Sequence, residues 1–287
     1  MNVVLSPNPY RDKGLKTAQA ASRILKNAGV ETCMCLPFSI EGSGIELPKH
    51  IVFHEMEDAL SRADILICFG GDGTILHAAK DANSYGVPVL GVNLGSVGFM
   101  AELEQSELSL LSKLAVKKYT IESRMMLDVI VRRDHKIIFS DLALNDAVIT
   151  KGAVARVVDL EAFSDRTQIT GFSGDGVIIS TPTGSTAYSM SAGGPIVEPT
   201  AENFIVTPIC PHAINARCFV LGHERVVSVR LGRMARKTAY LSVDGGKAFR
   251  LNGGDWVEVR MATAKTHLIR LTGRSFYDIM NQKLGRM

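Results

Sequence analysis

Up to about residue 120, short apolar runs alternate with stretches in which apolar residues recur every three to four positions, the pattern of parallel strands joined by crossover helices. Val3-Val4-Leu5 opens the series as a strand. Leu15, Ala18, Ala21, Ile24, Leu25 and Ala28 then mark one face of a helix that Gly29 stops. A second strand is expected near Thr32 to Leu36, a loop from Phe38 to His50, a short helix from Glu55 to Arg62 and a central strand over Ala63 to Phe69. A continuous apolar run such as Ile65-Leu-Ile-Cys-Phe69 suits a strand buried on both faces. Gly70 to Thr74 turn this strand into a helix reaching about Tyr85, and Val87 to Gly91 give the next strand. The first part of the chain is predicted to be an open α/β domain with a mostly parallel sheet.

After Ser123 the pattern changes to short runs. Met126 to Val131 and Lys136 to Phe139 flank Arg132-Arg-Asp-His135 as a hairpin. Further runs at Ala153 to Phe163, Gly176 to Ser180, Phe204 to Cys210, Val226 to Leu231, Ala239 to Val243 and Trp256 to Met261 are separated by Gly, Pro, Asp or Asn. These predict a mostly β second domain. Helical spacing returns at Ser275 to Leu284, through Phe276, Ile279, Met280 and Leu284, and this tail is expected to pack back on the first domain. The expected division is an α/β domain over 1–122, a β-rich domain over 123–262 and a tail over 263–287.

Composition narrows the classes. With 287 residues, 46% hydrophobic and 21% charged, the chain can bury a sizeable core, which argues against disorder and small disulfide scaffolds. The first residues have no signal-peptide pattern and no apolar run approaches the roughly 18 residues of a membrane span, so a cytoplasmic protein without membrane attachment is expected. Cys33, Cys35, Cys68, Cys210 and Cys218 lack C-x-x-C spacing and read as buried thiols. Cys33-x-Cys35 has no second Cys or His pair, so no protein metal ligand is assigned. Residues 217–287 carry fourteen Lys plus Arg against five Asp plus Glu, whereas the whole chain has a net charge of +3. That basic segment suits an anionic ligand or a solvated strand face. Without aromatic interleaving it gives no support for nucleic-acid binding.

Chemistry concentrates in a few stretches. Gly70-Gly71-Asp72-Gly73-Thr74 follows a central strand and opens a helix, so backbone N–H groups can approach a phosphate at the helix's positive end. Asp72 in such a cradle either holds a divalent cation or takes a proton from an attacking hydroxyl. No Walker A motif and no G-x-G-x-x-G occurs. Gly91 to Phe99 follows the next strand, with Phe99 available to stack on a base or to fill the core. Asn145-Asp146 places a polar pair in an apolar run, either for ribose or purine recognition or as a bulge at a strand end. Gly174-Asp175-Gly176 leads into a segment dense in hydroxyls and glycines, from Ser180 through Thr186, Ala187 and Tyr188 to Ser191, suited to a polar ligand with many contacts. Asp244-Gly245-Gly246 reads first as a hairpin turn, and His77 as a helix-surface or packed residue rather than a catalyst.

In this order, Gly70-Gly-Asp-Gly-Thr74, Asn145-Asp146 and Gly174-Asp-Gly-x3-Ser-Thr-Pro-Thr-Gly-Ser-Thr-Ala-Tyr188 closely resemble the motifs of the NAD kinases. The first motif is shared with diacylglycerol and sphingosine kinases, and the long Ser/Thr/Gly segment makes the resemblance specific. Thr207-Pro-Ile-Cys-Pro-His212, Ser242-Val-Asp-Gly245 and the tail Ser275-Phe-x3-Met-x2-Lys-Leu-Gly285 extend it over nearly the whole chain. The resemblance implies metal-dependent transfer of the γ-phosphoryl group of ATP, or of polyphosphate, to the 2′-hydroxyl of the adenosine ribose of NAD, the metal being Mg²⁺. Asp72 would activate the hydroxyl, and Gly70, Gly71, Gly73 and Thr74 would bind phosphates. Gly73, Phe99, Asn145, Asp146, Asp175, Thr186, Ala187, Tyr188, Ser191 and Asp244 would contact NAD, partly across an interface of a homodimer or homotetramer. Two departures stand out: Asp146 where the family often has Glu, and Ser96 where a basic residue is frequent. The alternatives are a lipid kinase, which predicts an apolar acceptor groove, and a non-catalytic NAD(P) sensor, in which Asp72 would have no purpose.

Overall fold

Strand β1 (Asn2–Pro7) forms where Val3, Val4 and Leu5 can be buried together. The chain then turns through Asp12, whose carboxylate accepts the N–H groups of Thr17 and Ala18 at 3.0 and 2.9 Å, and enters helix α1 (Lys16–Asn27). Ala18, Ala21 and Leu25 face the core, and Gly29 at φ +78° ends the helix while the Val30 N–H reaches the Leu25 carbonyl at 3.0 Å. β2 (Glu31–Met34), α2 (Met56–Leu60), β3 (Ile65–Gly70), α3 (Asp72–Asn83) and β4 (Val89–Asn93) follow. These four strands are parallel, in the order β4-β3-β1-β2. The connections from β1 and β3 therefore leave in opposite directions, and the carboxyl ends of these two strands form the switch point where open α/β sheets bind ligands.

The computed structural model describes residues 1–95, 98–152, 156–213, 216–232 and 238–285. The chain divides into two units, Met1–Ser123 with Thr266–Met287, and Arg124–Lys265. Ser96 lies outside the described residues, as does the start of the run expected from Ala153. In the first unit, β5 (Leu103–Glu104) pairs with β4, and α4 (Ser112–Ala115) completes the helical cover. Among the described residues no helix is long and apolar enough to cross a membrane.

In the second unit, β6 (Thr120–Arg133) and β7 (Lys136–Ala143) form the expected hairpin, closed by Asp134 and His135 at φ 49° and 63°. The chain continues through β8 (Asp146–Lys151), β9 (Val158–Ser164), β10 (Thr167–Gly174), β11 (Gly176–Ser180), α5 (Tyr188–Ser191) and β12 (Asn203–Ile209). It then forms β13 (Phe219–Gly222), β14 (Val227–Leu231), β15 (Ala239–Val243), β16 (Phe249–Leu251) and β17 (Trp256–Arg270), after which α6 (Phe276–Leu284) belongs again to the first unit. One sheet contains β10-β9-β14-β17, and the other is the antiparallel series β13-β12-β11-β8-β15-β16. Alternate residues of both, such as Val177 and Ile179 of β11 and Val227 and Val229 of β14, fill one core.

Some details differ from the sequence expectation. β17 continues past Met261 to Arg270, and its last part lies in the first unit, with Leu268 opposite Val89 of β4. Its polar middle hides a strand whose buried positions are spaced by Thr and Lys. β10, β13 and β16 are strands the sequence expectation does not contain: β13 is the short apolar run Phe219-Val-Leu221, β16 has three residues, and in β10 only Phe172 and Gly174 are buried, as edge positions permit. The reading of all five cysteines as buried thiols is also corrected: Cys35 and Cys68 are buried, Cys33 and Cys218 half-buried, and Cys210 is exposed at a strand end with φ 43°. Among the described residues of the basic segment, Arg225 pairs with Asp165 beside β14 and Arg230 on that strand with Glu161.

Candidate active site

The Gly70–Thr74 turn lies at the carboxyl end of β3, at the switch point. Gly71 is the N-cap of α3 and Asp72 its first residue, so the carboxylate stands at the positive end of the helix. The glycines differ in purpose. A Cβ on Gly70 would lie 2.6 Å from the Thr74 Cβ, whereas at Gly71 and Gly73 it would meet nothing within 4 Å. Gly70 therefore serves close packing, and Gly71 and Gly73 leave their backbone open to a ligand. Thr74 is buried, and its hydroxyl accepts from the Asn8 amide at 3.0 Å, tying the ends of β1 and β3 together.

Asp72 is half-buried and held from above by the loop after β4. Its Oδ2 accepts the Phe99 N–H at 2.8 Å and its Oδ1 the Met100 N–H at 3.2 Å. Such a carboxylate is fixed in orientation and keeps lone pairs for a further contact. The cavity beside it, of about 240 Å³, is lined by Arg11, Gly71, Asp72, Gly73, Gly95, Gly98 and Lys283. A neighbouring cavity adds Asn8, Phe38 and His77. Phe99 is only 6% exposed, with its ring against Phe276 at 6.1 Å between centroids and beneath the Lys283 ammonium. His77 is exposed on α3, the surface one of its two expected placements. Asn8 and Arg11 carry no motif signal, and only the rule that ligands gather at the carboxyl ends of strands would have drawn attention to them; Gly98 and Lys283 lie inside stretches the sequence singled out, the glycine-rich run to Phe99 and the tail motif, but sequence alone assigns neither to the site.

A second constellation lies within the β-rich unit. β7 ends at Ala143 and β8 begins at Asp146, so Asn145 occupies the corner between them. The Asp244 carboxylate clasps this corner, accepting the N–H groups of Leu144, Asn145 and Asp146 at 2.7, 2.8 and 3.0 Å. Asp244 at φ 50° and Gly245 at φ 69° form the turn read from the sequence, and that turn is what carries the carboxylate to the corner. Gly184 lies against the same backbone, where a Cβ would come within 2.6 Å of the Asn145 carbonyl carbon. Burial, and then the neighbouring Asp244 charge, push the Asp146 carboxyl up to about 7. Asp175 lies one residue before β11 and pairs with Lys151 at 2.6 Å.

The hydroxyl-rich segment divides into two sets. Thr181 donates to the Leu144 carbonyl at 2.6 Å, Ser185 donates to the Val197 carbonyl at 3.2 Å, and Ser189 bonds with Thr207 at 2.9 Å; all four side chains are buried and build the loop. Thr186 and Ala187 are half-buried, and Tyr188 and Ser191 are exposed. The side-chain oxygens of Asn145 and Ser180 are buried with no hydrogen-bond partner. Leaving such an atom unpaired costs about 1–3 kcal/mol, which a ligand donor can recover.

A glycine cradle with a clamped carboxylate at the switch point of a parallel sheet defines a phosphoryl-transfer enzyme. Two family models match: the ATP-NAD kinase N-terminal domain over residues 3–118 and the ATP-NAD kinase C-terminal domain over residues 144–271. The NAD kinase of Acetivibrio thermocellus is 36% identical over 285 residues, 99% of this chain and 97% of that protein. That of Symbiobacterium thermophilum is 45% identical over 228 residues, covering 79% and 80% of the two chains. The chain belongs to the NAD kinase family. Among solved structures, yeast NADH kinase complexed with NADH superposes with a TM-score of 0.83 at 27% identity, covering 99% of this chain and 87% of that one. An NAD kinase from Archaeoglobus fulgidus in complex with ATP shares the fold, with a TM-score of 0.75 at 22% identity over the full length of both chains.

Proposed function

We propose that this chain transfers the γ-phosphoryl group of ATP to the 2′-hydroxyl of the adenosine ribose of NAD, giving NADP and ADP, and that Asp72 takes up the hydroxyl proton. The observation that carries this reading is the Asp72 carboxylate, held by two backbone N–H groups beside the open backbone of Gly71 and Gly73. In the reaction the ribose oxygen forms a bond to phosphorus, the bond to the β-phosphate oxygen breaks, and the proton passes to Asp72. Phosphoryl transfer asks chiefly for positioning and charge neutralisation, and a fixed carboxylate beside a phosphate cradle supplies the first. The family description as ATP-NAD kinase supports ATP as donor, and the likeness to a yeast NADH kinase solved with NADH supports a dinucleotide acceptor.

Asn145, Asp146, Asp175, Thr186, Ala187, Tyr188 and Ser191 are assigned to the dinucleotide on the family resemblance, as is Phe99, and Asp244 holds the Asn145 corner. The unpartnered Asn145 oxygen supports this set. Among the described residues no three His, Cys, Asp or Glu side chains gather as a cation cage. A donor set of one carboxylate beside a phosphate cradle fits Mg²⁺ that enters with the nucleotide, because Mg²⁺ is commonly held by one or two carboxylates plus substrate phosphates and water. The metal is therefore part of the Mg·ATP substrate. Self-association, implied by the family resemblance, is expected to give a light-scattering mass that is a multiple of the chain mass. We place the reaction in the cytoplasm.

The purified protein, given NAD and Mg·ATP, is expected to form a product that an NADP-specific dehydrogenase reduces. NAD that binds without turnover would favour the sensor instead. Asp146 adds a pH signature. Its carboxyl ionises near 7, and the ionised form accepts ribose hydroxyls more strongly, so KM for NAD should fall as pH rises through about 7. In Asp146→Asn that dependence should flatten; an unchanged profile would remove Asp146 from the acceptor site. Stability moves oppositely. A carboxyl raised in the folded state loses stability as pH climbs from its unfolded value near 4 through about 7, so the melting temperature of wild type should fall more over that range than that of the variant.

A further inference from the structure

Two cations reach the Asp72 cavity from distant parts of the same unit. Arg11 comes from the turn after β1, where the Arg11 and Asp12 N–H groups bond to the Asn8 carbonyl at 3.0 and 2.8 Å and the Asp12 carboxylate fixes the start of α1. Its Nη1 lies 3.9 Å from where a Cβ on Gly95 would be. Lys283 comes from α6, and its ammonium lies 4.1 Å from the centroid of the Phe99 ring, the residue whose N–H holds Asp72. Both line the cavity with Gly71 and Gly73, and among the described residues neither is paired with a carboxylate.

The placement of α6 is built in. The buried Glu102 carboxylate accepts the N–H groups of Leu271 and Thr272 at 2.7 and 2.6 Å and the Thr272 hydroxyl at 2.7 Å. Arg274 donates to the Glu102 carbonyl at 2.6 Å and to the Glu107 carboxylate at 2.7 Å. Ser275 and Asp278 then form a capping box that starts the helix. A surface lysine on a solvated helix has no need of such anchoring. With one carboxylate and two cations around open glycine backbone, the cavity's charge suits a polyanion.

The geometry points to Lys283 as a catalytic residue of the phosphoryl transfer: its ammonium, in the cavity that Arg11 also lines, contacts the transferred γ-phosphoryl group and neutralises the charge on its oxygens. This rests on the phosphotransfer reading above. The ammonium forms no covalent bond and gives up no proton; its contribution is electrostatic, in a site where removing one such contact typically costs about 10²- to 10³-fold in turnover.

The test compares wild type with Lys283→Met and Lys283→Arg, together with acetylation of unaltered protein by acetic anhydride with and without inorganic tripolyphosphate. Lys283→Met is expected to lose about 10²- to 10³-fold in kcat with KM for NAD within about threefold, and Lys283→Arg to recover part of the loss. A purely structural lysine would not show that split. Tripolyphosphate should slow acetylation of Lys283 about tenfold while leaving the exposed Lys26 unaffected, the shielding expected of a directly bound anion. Turnover of folded Lys283→Met within about threefold of wild type, or equal acetylation of Lys283 with and without tripolyphosphate, overturns the assignment. If Lys283→Met does not fold, the acetylation result decides. Protection of Lys283 in a wild type that forms no NADP would leave the cation site standing and remove the NAD kinase mechanism.

Discussion

Asp72→Asn is expected to lower turnover by about 10²- to 10⁴-fold, the usual contribution of a positioned general base. The substitution keeps the shape of the side chain and removes the proton acceptor. It also places an amide N–H₂ where one oxygen now accepts from Phe99 at 2.8 Å or from Met100 at 3.2 Å. One of those N–H groups then faces a donor, a local loss of about 1–3 kcal/mol where the group is shielded from water. The rate loss should therefore come with a small fall in melting temperature, and NAD binding, assigned mainly to residues of the β-rich unit, should persist. NADP formation, thermal unfolding and NAD titration on the same preparation separate these effects. Turnover within tenfold of wild type would show that Asp72 is not the base.

Gly98→Ala is the second large effect, and it acts through Asp72. A Cβ at position 98 would lie 2.8 Å from the Asp72 Cγ, and nearer still to Oδ1. Asp72 has a single methylene and is rooted at the first residue of α3, so it can yield only by rotating out of its clamp or by pushing the loop away. Displacement of about 1 Å in a reacting geometry can cost 10²-fold in rate, and a loss of about that size is expected. Gly71→Ala differs in kind: its Cβ would meet no protein atom within 4 Å and would leave Asp72 in place, but it would stand in the open cradle proposed for phosphate, so its effect should fall on KM for ATP. A steady-state comparison of NADP formation, with melting curves to confirm folding, checks both. A Gly98→Ala enzyme as fast as wild type would mean that the clamp does not set the catalytic orientation.

The fold class was legible because burial leaves a periodic mark. The run Ile65 to Phe69 is apolar at every position because β3 is covered on both faces, and Ala18, Ala21 and Leu25 are spaced for one helix face, whereas Leu15, read as its first member, is buried just before the helix at φ 53°. The edge strand β10 left no such mark, because an edge strand can remain polar and still complete its ladder, while β13 and β16 are apolar or alternating but only four and three residues long. In the site, Gly70 to Thr74 announced itself because a strand-to-helix turn with open backbone demands glycine. The roles of Arg11, Gly98 and Lys283 did not, since each acquires its place in the site only from a neighbour far along the chain. Lys283 stands in the tail motif, but on a nine-residue helix its side chain reads from sequence as solvated surface.

The hydroxyl-rich segment shows a similar limit. Its density was evident, but sequence could not separate Thr181, Ser185 and Ser189, which bond within the loop, from Thr186, Tyr188 and Ser191, which remain available to a ligand. That division depends on how the turn Thr183–Thr186 and the short α5 face the sheet. Asp244 combines two readings in one residue, a hairpin turn and a three-donor clasp on the Asn145 corner.

The most direct measurement is ADP release from Mg·ATP with NAD as acceptor, set beside the analogue lacking the adenosine 2′-hydroxyl. Transfer to that hydroxyl predicts one ADP for each NADP with NAD, and ADP at the no-acceptor background with the 2′-deoxy analogue. Equal ADP release with both acceptors would contradict it, because the phosphoryl group would then be going to another hydroxyl or to water.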